Sequence, residues 1–350
     1  MNYEAKYMAR CLQLAKLGES HVAPNPMVGS VIVCNGEIVG EGWHRRFGEP
    51  HAEPNAINSV KNAELLQNAT LYVNLEPCSH FGKTPPCANL IVKNKIPRVV
   101  VGTLDPNPKV SGRGVEILRS AGVEVVVGVL EPECRELNKR FFIFQEQKRP
   151  YVLLKWAQTQ DGYIDKNRTA PDQKALAISN SITSQLTHKM RSENQSIMVS
   201  TNTVLLDNPT LTVRNWTGRN PVRVAIDRQG RIPEKSNLLD GSVPTIVLTE
   251  VEKLPKTHVE YVPVKFDGDN PLRFLEKLYE RNIHSVLVEG GAQLLKSFID
   301  SGCWDEANVE VSPVHVSDGV KAPTLNAMPA GCQVFNGHEW FFYRNNPKPG

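Results

Sequence analysis

The sequence lacks the features that mark membrane, secreted or disordered proteins. No apolar run approaches the roughly 20 residues that cross a bilayer, and the opening "MNYEAKYMARCLQLAKLGES" has no apolar signal-peptide core, so a cytoplasmic protein is expected. Low-complexity tracts and long runs of one charge are absent. The formal net charge is only +3, with Lys and Arg evenly spread, which speaks against a nucleic-acid or membrane surface. Cysteines are few and odd in number: seven, at 11, 34, 78, 87, 134, 303 and 332, which without a secretion signal make no disulfide framework. No G-x-G-x-x-G follows a strand in the second half, so a Rossmann fingerprint is also missing.

What remains is an ordinary globular composition, 40% hydrophobic over 350 residues, long enough for two domains. Met8, Cys11, Leu12 and Ala15 recur at helical spacing and predict an opening amphipathic helix. "VGSVIVC" and "EIVGEGW" flank Asn35-Gly36, a hairpin signal. A helix from about His51 follows, then the strand "TLYVNL", a helix after Cys87, the strand "RVVVGTL", a helix at "GVEILRSAG" and the strand "VEVVVGVL". Alternating strands and helices predict a mostly parallel sheet covered by helices. A fresh strand after Pro150 sets the boundary, giving domains 1–147 and 148–350. The second half predicts a helix at "SITSQLTHKMRSE", strands "SIMVS", "PVRVAID", "TIVLT" and "SVLVEGG", a helix "AQLLKSFIDSG" and a final strand "EANVEVSPV". No internal repeat links the halves, so two different α/β folds in tandem are expected.

Only Cys78 and Cys87 are close enough for a joint task. With His51 they supply imidazole nitrogen and two thiolates, the three-ligand set of a catalytic zinc site whose fourth position is open to water. Each cysteine follows a proline, which suits a loop entering a helix, where backbone N–H groups favour a thiolate. Glu53, two residues beyond His51, can reach a metal-bound water and shuttle its proton. The competing reading is a structural zinc knot, for which the stretch offers only His80 as a fourth ligand. The H-x-E, P-C and second Cys pattern belongs to the zinc deaminases of nucleobases, whose Glu is acid and base rather than ligand, and it predicts a cytidine-deaminase-like αβα domain.

Deaminases of nucleic acids carry P-C-x-x-C, whereas "SHFGKTPP" separates Cys78 from Cys87 here. With "PNPMVG" and "DPNPKVSGRG", this longer loop resembles the bifunctional deaminase-reductases of riboflavin biosynthesis, and the likeness runs through the second domain. The resemblance implies deamination of a diaminopyrimidinone bearing a ribosylamino 5′-phosphate, followed by reduction of the ribosyl group to ribityl with NADPH. It implies Zn2+ on His51, Cys78 and Cys87, with Asn25, His44, His80 and Lys83 on the deaminase substrate.

For the second domain it implies a dihydrofolate-reductase-like fold, with "LLKWAQTQDGYI", "STNTVLLDNPTLTVR" and "VLVEGGAQLL" at family positions. Thr203 and Asp207 then fall on the cofactor, and Arg191, Leu211 and Arg214 on the substrate. Gly291, Ala292 and Gln293 open a helix whose N–H groups can cradle a phosphate, and Glu289 or Lys155 would orient or protonate the sugar. Many relatives have Ser and Trp where this chain has Ala175 and Ala177, so altered cofactor contacts are expected. A small-molecule enzyme, homo-oligomeric, is the leading reading. The alternatives are a nucleic-acid or nucleoside deaminase with an accessory binding domain, which should show the short Cys spacing and a basic, aromatic surface, and a structural zinc protein that binds other proteins, which leaves Glu53 unexplained.

Overall fold

A computed structural model describes residues 3–79, 85–107 and 111–345. The chain divides into two compact units, Met1–Lys148 and Arg149–Gly350. The first runs α1 (Tyr3–Lys16), β1 (Gly29–Cys34), β2 (Glu37–Trp43), α2 (Ala52–Ser59), β3 (Ala69–Leu75), α3 (Cys87–Lys93), β4 (Arg98–Thr103), α4 (Arg113–Ser120), β5 (Glu124–Val127), α5 (Glu131–Leu137) and α6 (Lys139–Gln147).

Strand alternation divides its core in two. Ile32, Leu71, Val73, Val99 and Val101 meet Ala56, Ile57, Ala88, Ile91 and Leu118 of α2 to α4 on one face. Val31, Val33, Tyr72 and Val100 meet Tyr7, Met8, Cys11 and Leu14 of α1, with Cys134 of α5, on the other. This is an αβα sandwich in the order β2-β1-β3-β4-β5. The sheet is less parallel than the sequence predicts: β3, β4 and β5 are parallel, but β1 is antiparallel to both β2 and β3. The Asn35-Gly36 turn, with φ of 52° and 83°, folds β2 back along β1. The chain then crosses over through α2 to lay β3 on the far side of β1, which must oppose both neighbours. Helix α2 lies close on β2 because Gly42 has no side chain: a Cβ there would sit 2.3 Å from the Ala56 nitrogen. The helices α5 and α6, which the sequence reading passed over, close the unit, α5 having a proline in its first turn.

The second unit runs β6 (Tyr151–Thr159), β7 (Tyr163–Asp165), α7 (Ser181–Glu193), β8 (Ser196–Ser200), α8 (Thr201–Asp207), β9 (Val222–Ile226), β10 (Thr245–Thr249), β11 (Val259–Pro263), α9 (Asn270–Tyr279), β12 (Ser285–Glu289), α10 (Ala292–Asp300), β13 (Glu306–Ser312), β14 (Val320–Lys321), β15 (Gly331–Phe335) and β16 (His338–Arg344). Nine strands form one sheet, β11-β10-β9-β8-β12-β6-β13-β16-β15, and β14 pairs with β7 separately. Leu154, Met198, Val224, Leu248 and Val288 pack against Phe274, Leu278, Leu295 and Phe298 of α9 and α10. The expected final strand, β13, is not the last. A hairpin of β15 and β16 follows it, antiparallel, around Asn336-Gly337 with φ of 50° and 81°, the same turn chemistry as Asn35-Gly36. Among the described residues no helix is long and apolar enough to cross a membrane.

Candidate active sites

His51 is the N-cap residue of α2, and its ring makes no cap hydrogen bond, so it is free to turn towards the loop after β3. Cys78 sits in that loop, and Cys87 is the first residue of α3, entered through Pro86. The ligand atoms of these three residues lie within 4.8 Å of one another. His51 Nδ1 is 3.7 Å from Cys78 Sγ and 3.5 Å from Cys87 Sγ. A tetrahedral zinc with ordinary Zn–S and Zn–N bonds places such donors about 3.6 Å apart, so the set fits that ion.

The Cys87 backbone N–H donates to Cys78 Sγ at 3.3 Å, so the first free N–H of α3 supports a thiolate. Hydrogen bonds from Cys87 and His51 hold the Cys78 thiol well below its usual range, while the proton shared with Cys78 and burial push Cys87 up. The Cys78 hydrogen bond also raises His51. Glu53, the second residue of α2, is buried at 3% exposure. Burial, then the negative Cys78, push its carboxyl up to about 7. A cation held by the three ligands acts in the opposite direction.

Asn25 and His44 meet beside this cluster. The Asn25 amide Nδ2 donates to His44 Nε2 at 3.1 Å, so His44 carries its proton on Nδ1, which donates to Pro50 O at 3.1 Å. Burial lowers the His44 pKa, and its ring lies edge-on to His51 with centroids 5.4 Å apart. His80 and Lys83 lie outside the described residues. The reading from sequence missed Glu76. This buried residue, just before Pro77 and Cys78, accepts backbone N–H groups from Asp105, Gly112, Gly114 and Val115 at 2.8–3.2 Å. Its one signal was an acid standing at the end of an apolar strand.

The second unit holds a cleft of about 850 Å³. Lys155, Arg191, Thr203, Asp207, Leu211, Glu289, Gly291, Ala292 and Gln293 all line it, as do Ala175, Ala177 and Ser179 of the segment before α7. Its floor is the turn from β12 into α10. Gly290 and Gly291 have φ of 119° and 56°, and a Cβ on them would meet Thr203 Oγ1 at 2.8 Å and Ser200 Oγ at 2.7 Å. Bare backbone against two hydroxyls is a cradle for an anionic group, and the volume suits a dinucleotide, so NADPH fits.

Arg191 donates from Nε and Nη2, one edge of its guanidinium, to the two Glu289 oxygens at 3.1 and 2.6 Å. Burial alone would raise the Glu289 carboxyl, but Arg191 and Lys155 outweigh it and hold it low. Burial lowers Lys155, while Glu289 and Glu310 oppose that shift. Arg214 is exposed and not among the cleft-lining residues; its backbone N–H donates to His188 and its guanidinium to Thr210. Leu211 holds φ of 54°, a strained conformation for a leucine. Arg168, another residue missed from sequence, lines the cleft and binds Asp165 and Asp207 at 2.6 and 2.5 Å. Nothing in its local sequence marked it out.

Residues 1–103 match the cytidine and deoxycytidylate deaminase zinc-binding region, and residues 150–327 match the RibD C-terminal domain. The fold and sites thus define a protein of the tandem class, a cytidine-deaminase-like zinc-binding unit followed by a dihydrofolate-reductase-like α/β unit. The chain is 43% identical to riboflavin biosynthesis protein RibD of Aquifex aeolicus over 92% of this chain and 90% of that one. It is 40% identical to RibD of Bacillus amyloliquefaciens over 92% and 87%. A Thermotoga maritima structure described as a diaminohydroxyphosphoribosylaminopyrimidine deaminase/5-amino-6-(5-phosphoribosylamino)uracil reductase superposes with a TM-score of 0.87 at 38% identity, covering 98% of each chain. Acinetobacter baumannii RibD gives 0.85 at 31% identity, over 97% and 98%. The chain belongs to the riboflavin biosynthesis protein RibD family.

Proposed function

We propose that unit 1–147 hydrolytically deaminates 2,5-diamino-6-(5-phosphoribosylamino)pyrimidin-4-one. Unit 148–350 then reduces the ribosyl group of 5-amino-6-(5-phosphoribosylamino)uracil to ribityl with NADPH. The observation that carries this reading is the pairing, in one chain of this family, of the His51, Cys78 and Cys87 cluster beside buried Glu53 with a separate glycine-floored cleft.

In the first unit His51 Nδ1, Cys78 and Cys87 hold zinc, which when bound supplies the Lewis acidity that makes water a nucleophile near neutral pH. Glu53 takes the water proton and returns it to the departing ammonia. Its burial favours a carboxyl that can both accept and give a proton. Asn25, oriented by His44, pairs with the pyrimidine edge, and His80 and Lys83 bind phosphate or carbonyl oxygens. In the second unit Thr203, Asp207, Gly291, Ala292 and Gln293 bind NADPH, the hydride source. Arg191, Leu211 and Glu289 bind the substrate within the cleft, Arg214, exposed outside its lining, meets the phosphate from the rim, and Lys155 delivers the proton that balances the hydride added at C1. The same reading makes the enzyme a cytoplasmic homo-oligomer acting on a small molecule, without a nucleic-acid or membrane partner.

The test follows ammonia release and NADPH oxidation together, from the diaminopyrimidinone substrate and zinc-loaded protein. Ammonia should precede NADPH oxidation. In Glu53→Gln, ammonia release should fall by about 10²–10⁴-fold with zinc retained, while NADPH oxidation persists on the deaminated substrate. Folded, zinc-loaded wild type that releases no ammonia would overturn the substrate assignment.

A further inference from the structure

Glu310 is a fully buried carboxylate to which neither the sequence motifs nor the assigned roles give a task. In the sheet, Lys155 pairs with Glu289 on one side and Asn308 on the other, and Glu310 pairs with Ala157, two residues beyond Lys155. Side chains two apart share a face. Glu289, Lys155, Asn308 and Glu310 therefore form one polar row on the side opposite Leu154 and Val288. Trp340, opposite Glu310 on β16, continues the row, and the Lys155 ammonium lies 5.8 Å from its ring centroid.

Both Glu310 oxygens are engaged. Ser179 Oγ donates to Oε2 at 2.6 Å, and His338 Nδ1 donates to Oε1 at 2.8 Å. Ser179 belongs to the cleft wall that includes Ala175 and Ala177. The next residue, Asn180, caps α7 and also donates through Nδ2 to Phe335 O at 3.0 Å. The β15–β16 hairpin and Glu310 thus jointly hold that wall.

Charge matching identifies what else Glu310 does. The charged and titratable groups around Lys155 are Glu289 from β12, Arg191 from α7 with His188 beyond it, Glu310 from β13, and His338 from β16 against Glu310. Arg191 neutralises Glu289 through its bidentate pair. Glu310 has no guanidinium. A buried ammonium needs a counter-charge; Lys155 shares Glu289 with Arg191, and Glu310, which no guanidinium among the described residues neutralises, supplies the remainder.

We propose that Glu310 is a positioning residue of the reductase site, its carboxylate serving as counter-charge to the Lys155 ammonium while tethering the cleft wall through Ser179. The proposal rests on the reductase reading above. It is tested with the full chain, the deaminated substrate and NADPH over a range of pH. In Glu310→Gln, kcat should fall about tenfold and the alkaline limb of its pH profile should move about one unit to lower pH, because Lys155 loses its proton sooner. Ser179→Ala keeps the charge and should raise KM for NADPH without moving the limb. Ammonia release by the first unit should match wild type in both variants.

A folded Glu310→Gln whose alkaline limb stays at the wild-type position overturns the proposal, since a merely structural role lowers activity at every pH alike. Should that variant not fold, His338→Gln decides: it keeps the carboxylate and removes the competing imidazole. A limb shifted to higher pH then supports the counter-charge, and a limb unmoved or shifted to lower pH overturns it. Wild type unable to oxidise NADPH on this substrate would overturn the reductase reading itself and this inference with it.

Discussion

Replacing Glu76 with glutamine should strip the zinc site of its support without touching a ligand. Each carboxylate oxygen serves two donors: Oε1 takes the Gly114 and Val115 N–H groups, and Oε2 those of Asp105 and Gly112. An amide has one oxygen, so in either orientation its NH2 faces two N–H donors. Hydrogen bonds to a charged group contribute about 1.5–3 kcal/mol each, so losing two costs about 3–6 kcal/mol, a large part of the 5–15 kcal/mol that keeps an ordinary domain folded. The loss falls beside the metal cluster, since Glu76 leads through Pro77 into Cys78. Zinc content by elemental analysis should drop, and zinc-dependent ammonia release should drop with it. NADPH oxidation on the deaminated substrate should remain near wild type, because the second unit has its own core. A Glu76→Gln protein with wild-type melting midpoint and one zinc per chain would refute the reasoning.

Gly290→Ala places a methyl 2.8 Å from Thr203 Oγ1 at φ of 119°, and should raise KM for NADPH by tenfold or more while leaving ammonia release unchanged; steady-state kinetics of the two half-reactions check it. Burial pushes the His284 pKa down to about 4, so the unfolded state binds its proton first as pH falls. Stability should therefore decline from pH about 6.5 to about 4, by at most about 3 kcal/mol, and urea melts of wild type against His284→Asn should show a shallower decline in the variant.

Much of the fold is legible because the strands are buried on both faces and read as apolar runs, as "TIVLT" and "SIMVS" do. The metal cluster is legible because its residue types are rare and its ligands bracket one loop. The orientation of β1 is not, since strand direction depends on which side a crossover lands rather than on composition. The β15–β16 hairpin was within reach: Asn336-Gly337 repeats the signal used for Asn35-Gly36, but exposed strands such as β15 lack a clean apolar alternation. Glu310 and Arg168 stayed hidden for a different reason. Beyond the local Asp165 partner of Arg168, the contacts that place them at the cleft lie 131 residues away at Ser179 and 39 at Asp207, distances over which no local pattern carries information.

The chain from Pro50 O through His44 to Asn25 has a consequence for recognition. One amide hydrogen of Asn25 is committed to His44, so the side chain cannot flip to exchange its oxygen and nitrogen without losing that bond. Any ligand meeting Asn25 therefore finds an acceptor and one remaining donor in a fixed order. The protein has chosen that polarity before binding, and a partner with the reversed order must break the His44 contact to be held.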